Sequence, residues 1–568
     1  MIEETKYLQN QNLFENKIFE KHVIEKDSSI IGDVEFRNCT FKMPFVLENI
    51  DIKGRLIFYK CVFHHHTSIK NCSATVISIS DCELGTKYFK LISNKSNFLD
   101  LKYLRANEIY INGDYNLMFF KNIIADILLL KDVNSSYSGN DSKVELTNLT
   151  IEKLELKGNS IHADILLDRG NFKNIFLIGH FKNSISIEGD IKVESLFLES
   201  SVFYDRIDIK EGKFQYIYFY RSLFKGLIYI NSFNISNNNS NDLQIKNLTV
   251  HANSFEQNIS LYLLTIESIN LSDNQFSRTF HLYSSQEQML EAQTPLRFGF
   301  SGINHGNIVI SNRYLDIDID GINFGNISFK DVKIDFLLIT DFQNTGKLSF
   351  SNIIDGNYFV IQNSNIGKTL FLNTNINNFQ EIVISNSNIE DTYFSIYPKK
   401  IRSYSKNPTF GFGVSDKSKN IINLRNTYNQ LKQVAKKSGD IDVANQYQSL
   451  EHKNLLLSKK ISLDSILLTL NWVSNNNGQS WFRGILFTLS ITLIFFYLYI
   501  IVLNVPYDNT SFFQDYILFL TSFPKLQLDK FSELNNMWKA SLLIWLSRIF
   551  ISYGIYQTVS AFRKYGKS

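Results

Sequence analysis

A short repeat most constrains what this chain can fold into. Eight segments start between residues 153 and 227 at steps of ten or eleven, each alternating apolar and polar residues before a turn rich in Gly, Asn and Ser. Alternation with period two is typical of a strand with one buried face. The register barely drifts and no Asn-Gly hairpin signal recurs, which favours stacked coils over a sandwich or barrel. We therefore predict a mainly β fold, a right-handed parallel β-helix (a solenoid) in which two segments make one coil of about 21 residues.

Weaker copies of the repeat extend the array in both directions. VEFRNCTF begins at Val34 and EIVISNSNI begins at Glu381. We predict an N-terminal cap over residues 1–27 and the β-solenoid over residues 28–405. The less regular stretch 284–302 predicts a short helical excursion from one coil.

Composition and cysteine spacing narrow the class further. A net charge of +3 with 20% charged residues and no basic block in the solenoid is not a nucleic-acid signature. The first nineteen residues carry charges throughout and lack an apolar run, so we expect no secretory signal and a reducing compartment. Cys39, Cys61, Cys72 and Cys82 lie one coil or half a coil apart, which predicts small buried core residues.

After about residue 408 the pattern changes to helix. Leu424, Tyr428, Leu431 and Ala435 share one helical face, and Ser438-Gly439-Asp440 supplies a turn before a second helix. We predict an αα-hairpin linker over residues 420–460.

Residues 461–568 are predicted to form a membrane module. Residues 484–503 contain no charge and are long enough to cross a bilayer. A second span is predicted over residues 540–562, although Arg548 lies inside it. Basic residues before the first span and after the second favour a multi-pass protein of the bacterial inner membrane with both termini in the cytoplasm.

The segment between the spans suggests a possible conduit. Residues 512–524 are apolar but too short to cross, which is typical of a re-entrant or interfacial segment. The residues where a channel filter would stand are Thr521, Ser522, Phe523 and Pro524. No Gly is present there, so potassium selectivity is not supported. For Arg548 two interpretations stay open, a functional intramembrane charge and a side chain that snorkels to the interface.

Three stretches carry a resemblance to a known class. These are residues 424–453, the SNNNGQSWFRG motif at 474–484, and YQTVSAFRKYGK at 556–567. Together they resemble the C-terminal part of bacterial pentapeptide-repeat-like membrane proteins that end in a two-transmembrane, channel-like module. The resemblance implies a membrane-entry motif that contains Gly478, Ser480, Trp481 and Arg483.

Motifs that would carry catalytic or metal chemistry are weak. Asp316, Asp318 and Asp320 resemble the start of a calcium loop, but Ile327 stands where the bidentate Glu should be. The three histidines at 64–66 would point to opposite faces of a strand. We predict no catalytic, cofactor-binding or metal site, and we do not expect an enzyme.

Two functions follow as expectations. The first is a membrane-anchored, cytoplasm-facing β-solenoid that acts as a protein-binding scaffold or sensor. The alternative is an oligomeric ion channel or pore-forming effector gated by the solenoid, in stress or phage defence. The expected partners are the lipid bilayer, an unidentified cytoplasmic protein and further copies of the chain, with no nucleic acid.

Overall fold

The structure is a computed structural model that describes residues 12–85, 88–134, 142–231, 243–262, 265–354, 356–404, 417–459, 462–503, 512–521 and 534–563. Its strands form a parallel β-solenoid of about 17 turns with about 21 residues per coil, and helices follow. This confirms the predicted fold class. The chain divides into two compact units, one of Met1–Phe359, Lys368–Gln380 and Phe394–Ile396, the other of Val360–Gly367, Glu381–Tyr393 and Tyr397–Ser568.

Strands occupy most of the described chain before residue 404. The first are β1 (Leu13–Glu15), β2 (Ile18–Phe19), β3 (Val23–Lys26), β4 (Ser29–Ile30), β5 (Val34–Arg37), β6 (Thr40–Phe41), β7 (Phe45–Glu48), β8 (Asp51–Ile52), β9 (Arg55–Tyr59), β10 (Val62–Phe63), β11 (Thr67–Lys70), β12 (Ser73–Ser80) and β13 (Glu83–Leu84). The middle ones are β14 (Phe89–Asn134), β15 (Lys143–Ile161), β16 (Asp164–Phe181), β17 (Ile185–Glu199), β18 (Val202–Phe203), β19 (Ile207–Ile209), β20 (Lys213–Tyr220), β21 (Leu223–Phe224), β22 (Ile228–Asn231), β23 (Gln244–His251), β24 (Ser254–Phe255), β25 (Ile259–Tyr262), β26 (Thr265–Ser272), β27 (Gln275–Phe276) and β28 (Thr279–Tyr283). The last are β29 (Leu296–Ser301), β30 (Ile303–Asn304), β31 (Asn307–Ser311), β32 (Tyr314–Asn323), β33 (Asn326–Lys330), β34 (Lys333–Asn344), β35 (Lys347–Ser351), β36 (Tyr358–Gln362), β37 (Thr369–Asn375), β38 (Glu381–Ser385), β39 (Tyr393–Ile396) and β40 (Ile401–Arg402).

Seven α-helices and one 3₁₀ turn are described. They are α1 (Gln286–Glu291), the 3₁₀ turn Ile376–Asn378, α2 (Lys417–Lys437), α3 (Ile441–Ser458), α4 (Leu463–Asn475), α5 (Trp481–Leu503), α6 (Phe512–Thr521) and α7 (Leu534–Phe562). Two differences from the sequence prediction stand out. The predicted excursion at 284–302 is helical only in α1, because β29 already rejoins the sheet. Helix α4 was not predicted at all.

Two features of the sequence explain how the coils of the first unit stack: apolar residues alternate with polar ones along the strands, and suitable residues occupy the corners of each coil. Leu154 pairs in parallel with Ile175, one coil on, and both are fully buried. At the corners a residue with positive φ recurs about every eleven residues early in the chain, for example Asn38, Asn49 and Asn71. Asn tolerates the left-handed region better than other non-glycine residues, which explains its frequency at these turns. Asn71 Nδ2 donates to Asn49 Oδ1 at 3.0 Å, so the corner side chains also bond from coil to coil.

Stacked phenylalanines fill the interior of the first unit. Phe36 stacks on Phe58 with a centroid distance of 4.9 Å, and Phe203 stacks on Phe224 at 5.0 Å. Identical residues at identical coil positions produce such ladders, and ring pairs add about 0.5–1.5 kcal/mol beyond burial.

Strand pairing is already present within residues 1–27, for which an N-terminal cap is predicted. Leu13 of β1 lies in this segment and pairs in parallel with Glu35 of β5. The physical reason is that Phe14, Phe19 and Val23 already alternate inward and are buried like their counterparts in later coils.

The cysteines are buried and free of disulfides, but they occupy two ladders. The backbone N of Cys61 donates to Cys82 Sγ at 3.3 Å, and Cys39 occupies the same corner one coil earlier. The backbone N of Cys72 instead donates to Asn94 Oδ1 at 2.8 Å at another corner. The spacing of half a coil therefore separates Cys72 from the other three.

In the second unit, helix α2 covers an edge of the sheet. The backbone N of Ile389 donates to Gln430 Oε1 at 2.8 Å, and Thr427 Oγ1 donates to Ile384 O at 3.4 Å. Helices α2 and α3 are joined by a 2.6 Å ion pair between Lys432 and Glu451, both largely buried. An exposed edge strand invites pairing with other chains, and α2 blocks that.

Two of the described helices are long and apolar enough to cross a membrane. They cover Trp481–Val502 of α5 and Trp538–Phe562 of α7, and only 22% and 28% of their most apolar stretches are buried within the protein. Most of their apolar surface is therefore left for lipid or for another chain.

Candidate binding cavity and membrane-entry site

A long cavity of about 1320 Å³ runs across the coils of the first unit. Its lining contains an exposed row of paired residues, Ile124, Thr150, Asn171, Lys192, Lys213, Gln244 and Thr265. The next residue on each coil is apolar and largely closed off from solvent, as with Ile151, Phe172 and Phe214. The six coil steps from Ile124 to Thr265 cover about 29 Å at the spacing of adjacent strands. The cavity, which we call the long cavity, is therefore extended rather than round.

The two exposed sides of the long cavity differ in charge. On the first side, Lys192 and Lys213 are the charged members of the row above. On the second side, the exposed residues are Asp126, Glu152, Lys173, Glu194, Gln215, Lys246 and Glu267, four of them acidic. The long cavity is thus lined by a row with two lysines and, two residues further along each coil, by a predominantly acidic row, which we call its basic side and its acidic side.

One end of the long cavity carries a buried arginine. Arg313 lines the cavity, is 7% exposed, and donates from Nη2 to the backbone oxygen of Tyr283 at 3.2 Å. Burial lowers the pKa of Arg313 to about 10. Met289 of α1 also lines the long cavity, so the helical excursion contributes to its wall.

The residues considered for metal chemistry do not form a metal site in the part of the chain that is described. No group of three or more His, Cys, Asp or Glu is placed there to hold an ion. Asp316 is half-buried on its strand, where burial and the charge of Asp335 raise its pKa to about 6. His64 and His65 are exposed.

A cluster of amide side chains lies where the first candidate span begins. Asn475 Nδ2 donates to Gln557 Oε1 at 2.5 Å, and Gln557 Nε2 donates to Asn471 Oδ1 at 2.7 Å. Tyr553 OH donates to the same Asn471 oxygen at 2.6 Å. Asn475 is 1% exposed, so these bonds satisfy groups that would otherwise be costly to bury. We call these four residues the amide cluster; it ties α4 to α7.

A second cavity of about 550 Å³ borders the amide cluster. Asn445 and His452 of α3 line it together with Arg563, which follows α7. Gln479 Nε2 donates to the backbone oxygen of Asn445 at 2.6 Å, so the loop after α4 is also bonded to α3.

The predicted membrane-entry residues lie in and after this loop. Gly478 has φ +86° and donates from its backbone N to Asn475 Oδ1 at 2.8 Å. Ser480 Oγ accepts from the backbone N of Arg483 at 3.3 Å, which makes it the N-cap of α5. Trp481 stacks on Phe562 at 5.0 Å, and Arg483 is exposed. Helix α5 therefore begins within the motif, and its first residue, Trp481, contacts Phe562, the last residue of α7.

Small residues allow α5 and α7 to pack closely. A Cβ added at Gly554 would lie 2.3 Å from Thr488 Oγ1, and one added at Gly484 would lie 2.5 Å from Thr558 Oγ1. Small residues at helix contacts are the usual way for membrane helices to approach. These contacts, with Trp481 against Phe562, show that the two helices run antiparallel.

Arg548 is bonded to the short helix between the candidate spans. Its Nη1 donates to the backbone oxygen of Leu520 at 3.3 Å, and its guanidinium lies 5.5 Å from the centroid of Phe519. Cations stabilise the last turn of a helix, so Arg548 caps α6. Thr521 ends α6, is exposed, and donates from Oγ1 to Ile517 O at 2.8 Å. Ser522, Phe523 and Pro524 lie outside the described residues.

Comparison with protein-family models, curated proteins and solved structures gives no match. The structure by itself defines the class: a parallel β-solenoid followed by a helical module with two candidate membrane spans. The resemblance to pentapeptide-repeat-like proteins stays a prediction at the finer level of family.

Neither the amide cluster nor the long cavity is among the sites predicted from the sequence. A signal for the first existed: Asn471 and Asn475 are four residues apart, as are Tyr553 and Gln557, and the latter pair places polar groups within the second candidate span. Polar residues inside a span usually have a bonded partner.

Proposed function

We propose that this protein is a membrane-anchored, cytoplasm-facing solenoid scaffold that holds a protein partner along the long cavity. The observation that carries the proposal is the extent of that cavity, about 1320 Å³ across successive coils, with apolar residues between two charged sides. Repeat proteins commonly use extended surfaces of this kind for binding.

The charge pattern supports a partner of defined chemistry. Lys192 and Lys213 would attract acidic side chains, whereas Glu152, Glu194 and Glu267 would attract basic ones. Successive side chains of an extended peptide point to opposite sides of its backbone. A polypeptide segment with acidic residues on one side and basic residues on the other would therefore complement the long cavity.

Flanking charges support the orientation. Arg483 lies in the first turn of α5 and Arg563 follows α7, at the end where Trp481 stacks on Phe562. Lys459 precedes both candidate spans in the chain. The positive-inside rule assigns such an end to the cytoplasm. A bacterial inner membrane with both termini cytoplasmic fits this distribution.

The scaffold function is tested by site-specific photo-crosslinking in cells. A photoreactive residue at Thr265, in the long cavity, should give a discrete protein adduct. The same residue at Tyr229, exposed but outside the cavity lining, should not. Equal adducts from both positions, or none from Thr265, would refute the assignment of the cavity.

A charge-reversal pair tests the chemistry of the partner. Lys192→Glu with Lys213→Glu should reduce the Thr265 adduct at least about tenfold, since like charges across an interface cost several kcal/mol. Lys121→Glu with Lys131→Glu is the matched control, because both lysines are exposed and outside the cavity. An unchanged adduct in the first variant would show that the basic side does not contact the partner.

A second candidate, an oligomeric ion conduit, is favoured by the position of Arg548. Along α7 it lies ten residues after Trp538 and fourteen before Phe562, about 15 and 21 Å from the two ends. Intramembrane charges at such depth commonly mark ion pathways. Two spans per chain cannot enclose water alone, so this function requires several copies.

Flux measurements separate the two candidates. Liposomes that contain the full chain should show ion flux that Arg548→Leu changes and Arg548→Lys largely preserves, if Arg548 lines a conduit. Absence of flux from a verified oligomer would leave α5 and α7 as an anchor and would leave the scaffold function intact.

A further inference from the structure

Helix α4 has its polar and apolar sides reversed relative to a helix of a soluble domain. Its contacts with α7 are made by the amides of Asn471 and Asn475. Its large aliphatic residues instead face outward: Leu463 is 81% exposed, Ile466 is 52% exposed, and Leu467 is 56% exposed. Val473 is exposed on the same side. In water this arrangement would leave an unfavourable continuous apolar face.

The position of α4 relative to the candidate spans identifies what covers this face. Asn471 bonds Tyr553 and Gln557, which lie nine and five residues before the end of α7. These intervals correspond to about 14 and 8 Å along the helix. The cap of α4 is also complete, because Ser462 and Ser465 form a capping box, so the helix begins as an independent element. Its outward face thus adjoins the outer surface of the helices that would cross the bilayer.

We propose that α4 is a third membrane element, a helix that lies in the lipid interface with Leu463, Ile466, Leu467 and Val473 in the acyl region. The occupant of the face is the lipid bilayer. An outward apolar side with inward bonded amides fits lipid, because the side-chain amide of Asn475 and the side-chain oxygen of Asn471 are already bonded to α7. Interfacial helices typically bury their apolar side about 5–10 Å into the headgroup and acyl boundary. The inference rests on the proposed membrane attachment of α5 and α7.

The test places one fluorescent label at a time in the full chain. A nitrobenzoxadiazole is attached to Ile466→Cys on α4, to Ile494→Cys on the exposed side of α5, or to Asn426→Cys on the exposed surface of α2. Each protein is reconstituted in phosphatidylcholine vesicles that carry a nitroxide near the headgroup or near the chain end. Iodide serves as the quencher in water.

The expected pattern distinguishes three depths. The label at 466 should lose fluorescence mainly to the headgroup-proximal nitroxide, that at 494 mainly to the chain-end nitroxide, and that at 426 mainly to iodide. Iodide quenching at 466 as strong as at 426 would overturn the proposal, as would shielding of 466 from all three quenchers, which would show a protein covering. If the label at 494 is quenched by the chain-end nitroxide in either case, the membrane attachment of α5 and α7 still holds. Iodide quenching of the label at 494 would contradict that attachment itself.

Discussion

The side-chain amide of Asn475 donates to the side-chain oxygen of Gln557 at 2.5 Å, across 82 positions of the chain. Asn475 ends α4 just before the first candidate span, and Gln557 belongs to the second. The same Asn475 amide also donates to the backbone oxygen of Gln557 at 3.1 Å. One buried side chain therefore fixes the entry to α5 against the last turns of α7.

Asn475→Ala should destabilise the helical module. The substitution leaves the carbonyl groups of Gln557 buried without that donor, which typically costs about 1–3 kcal/mol. The measurement is the free energy of unfolding of the full chain in detergent. Asn426→Ala, an exposed Asn within α2, is the matched control and should change stability by no more than about 0.5 kcal/mol. Equal effects of the two substitutions would show that the amide cluster is not structural.

Gly554→Ala should weaken the packing of α5 against α7. The added methyl group would lie 2.3 Å from Thr488 Oγ1, and overpacking of this kind costs about 1–3 kcal/mol. The double variant with Thr488→Ala removes the nearest atom and should recover part of the loss. Thermal unfolding in detergent measures both. A single variant as stable as the wild type would mean that the two helices are farther apart than described.

Asp316 should make the stability of the first unit depend on pH. Burial and the charge of Asp335 raise its pKa from 3.8 to about 6, so between these values the folded chain binds the proton more tightly than the unfolded chain. Stability falls with rising pH wherever the folded state holds more protons. The contribution of Asp316 is therefore favourable below pH about 4 and declines as pH rises through about 6.

Asp316→Asn should remove this decline and raise the melting temperature above pH 6. The measurement is the melting temperature of the full chain from pH 4 to 7, with the exposed Asp341→Asn as the control for the loss of one charge. An identical pH slope in wild type and Asp316→Asn would contradict the placement of Asp316.

The four cysteines should be unreactive in the folded chain. A hydrogen bond with Cys61 and burial raise the pKa of Cys39, and burial raises the pKa of Cys72 to about 11. The thiolate is the reactive form, so an aromatic disulfide reagent at pH 8 should label them only after unfolding. Rapid labelling of two or more thiols in the native protein would contradict the buried ladders.

The solenoid could be predicted from the sequence better than the sites could. Leu154 and Leu156 could be assigned to the core from alternation alone, and both are buried. The long cavity could not be predicted, because it depends on how residues of successive coils and of α1 come together in space, which alternation along one strand does not encode. Helix α4 was missed for a related reason: its outward aliphatic side and bonded Asn471 reverse the pattern by which surface helices are recognised.

Flotation with liposomes after an alkaline carbonate wash tests most directly whether α5 and α7 anchor the solenoid in a bilayer. The full chain should float with the lipid, since the exposed apolar sides of both helices would be embedded. A variant with Ile494→Arg and Leu498→Arg, both exposed on α5, should lose most of that association because charges inside a bilayer are costly. Recovery of the wild-type chain in the carbonate supernatant would contradict the account.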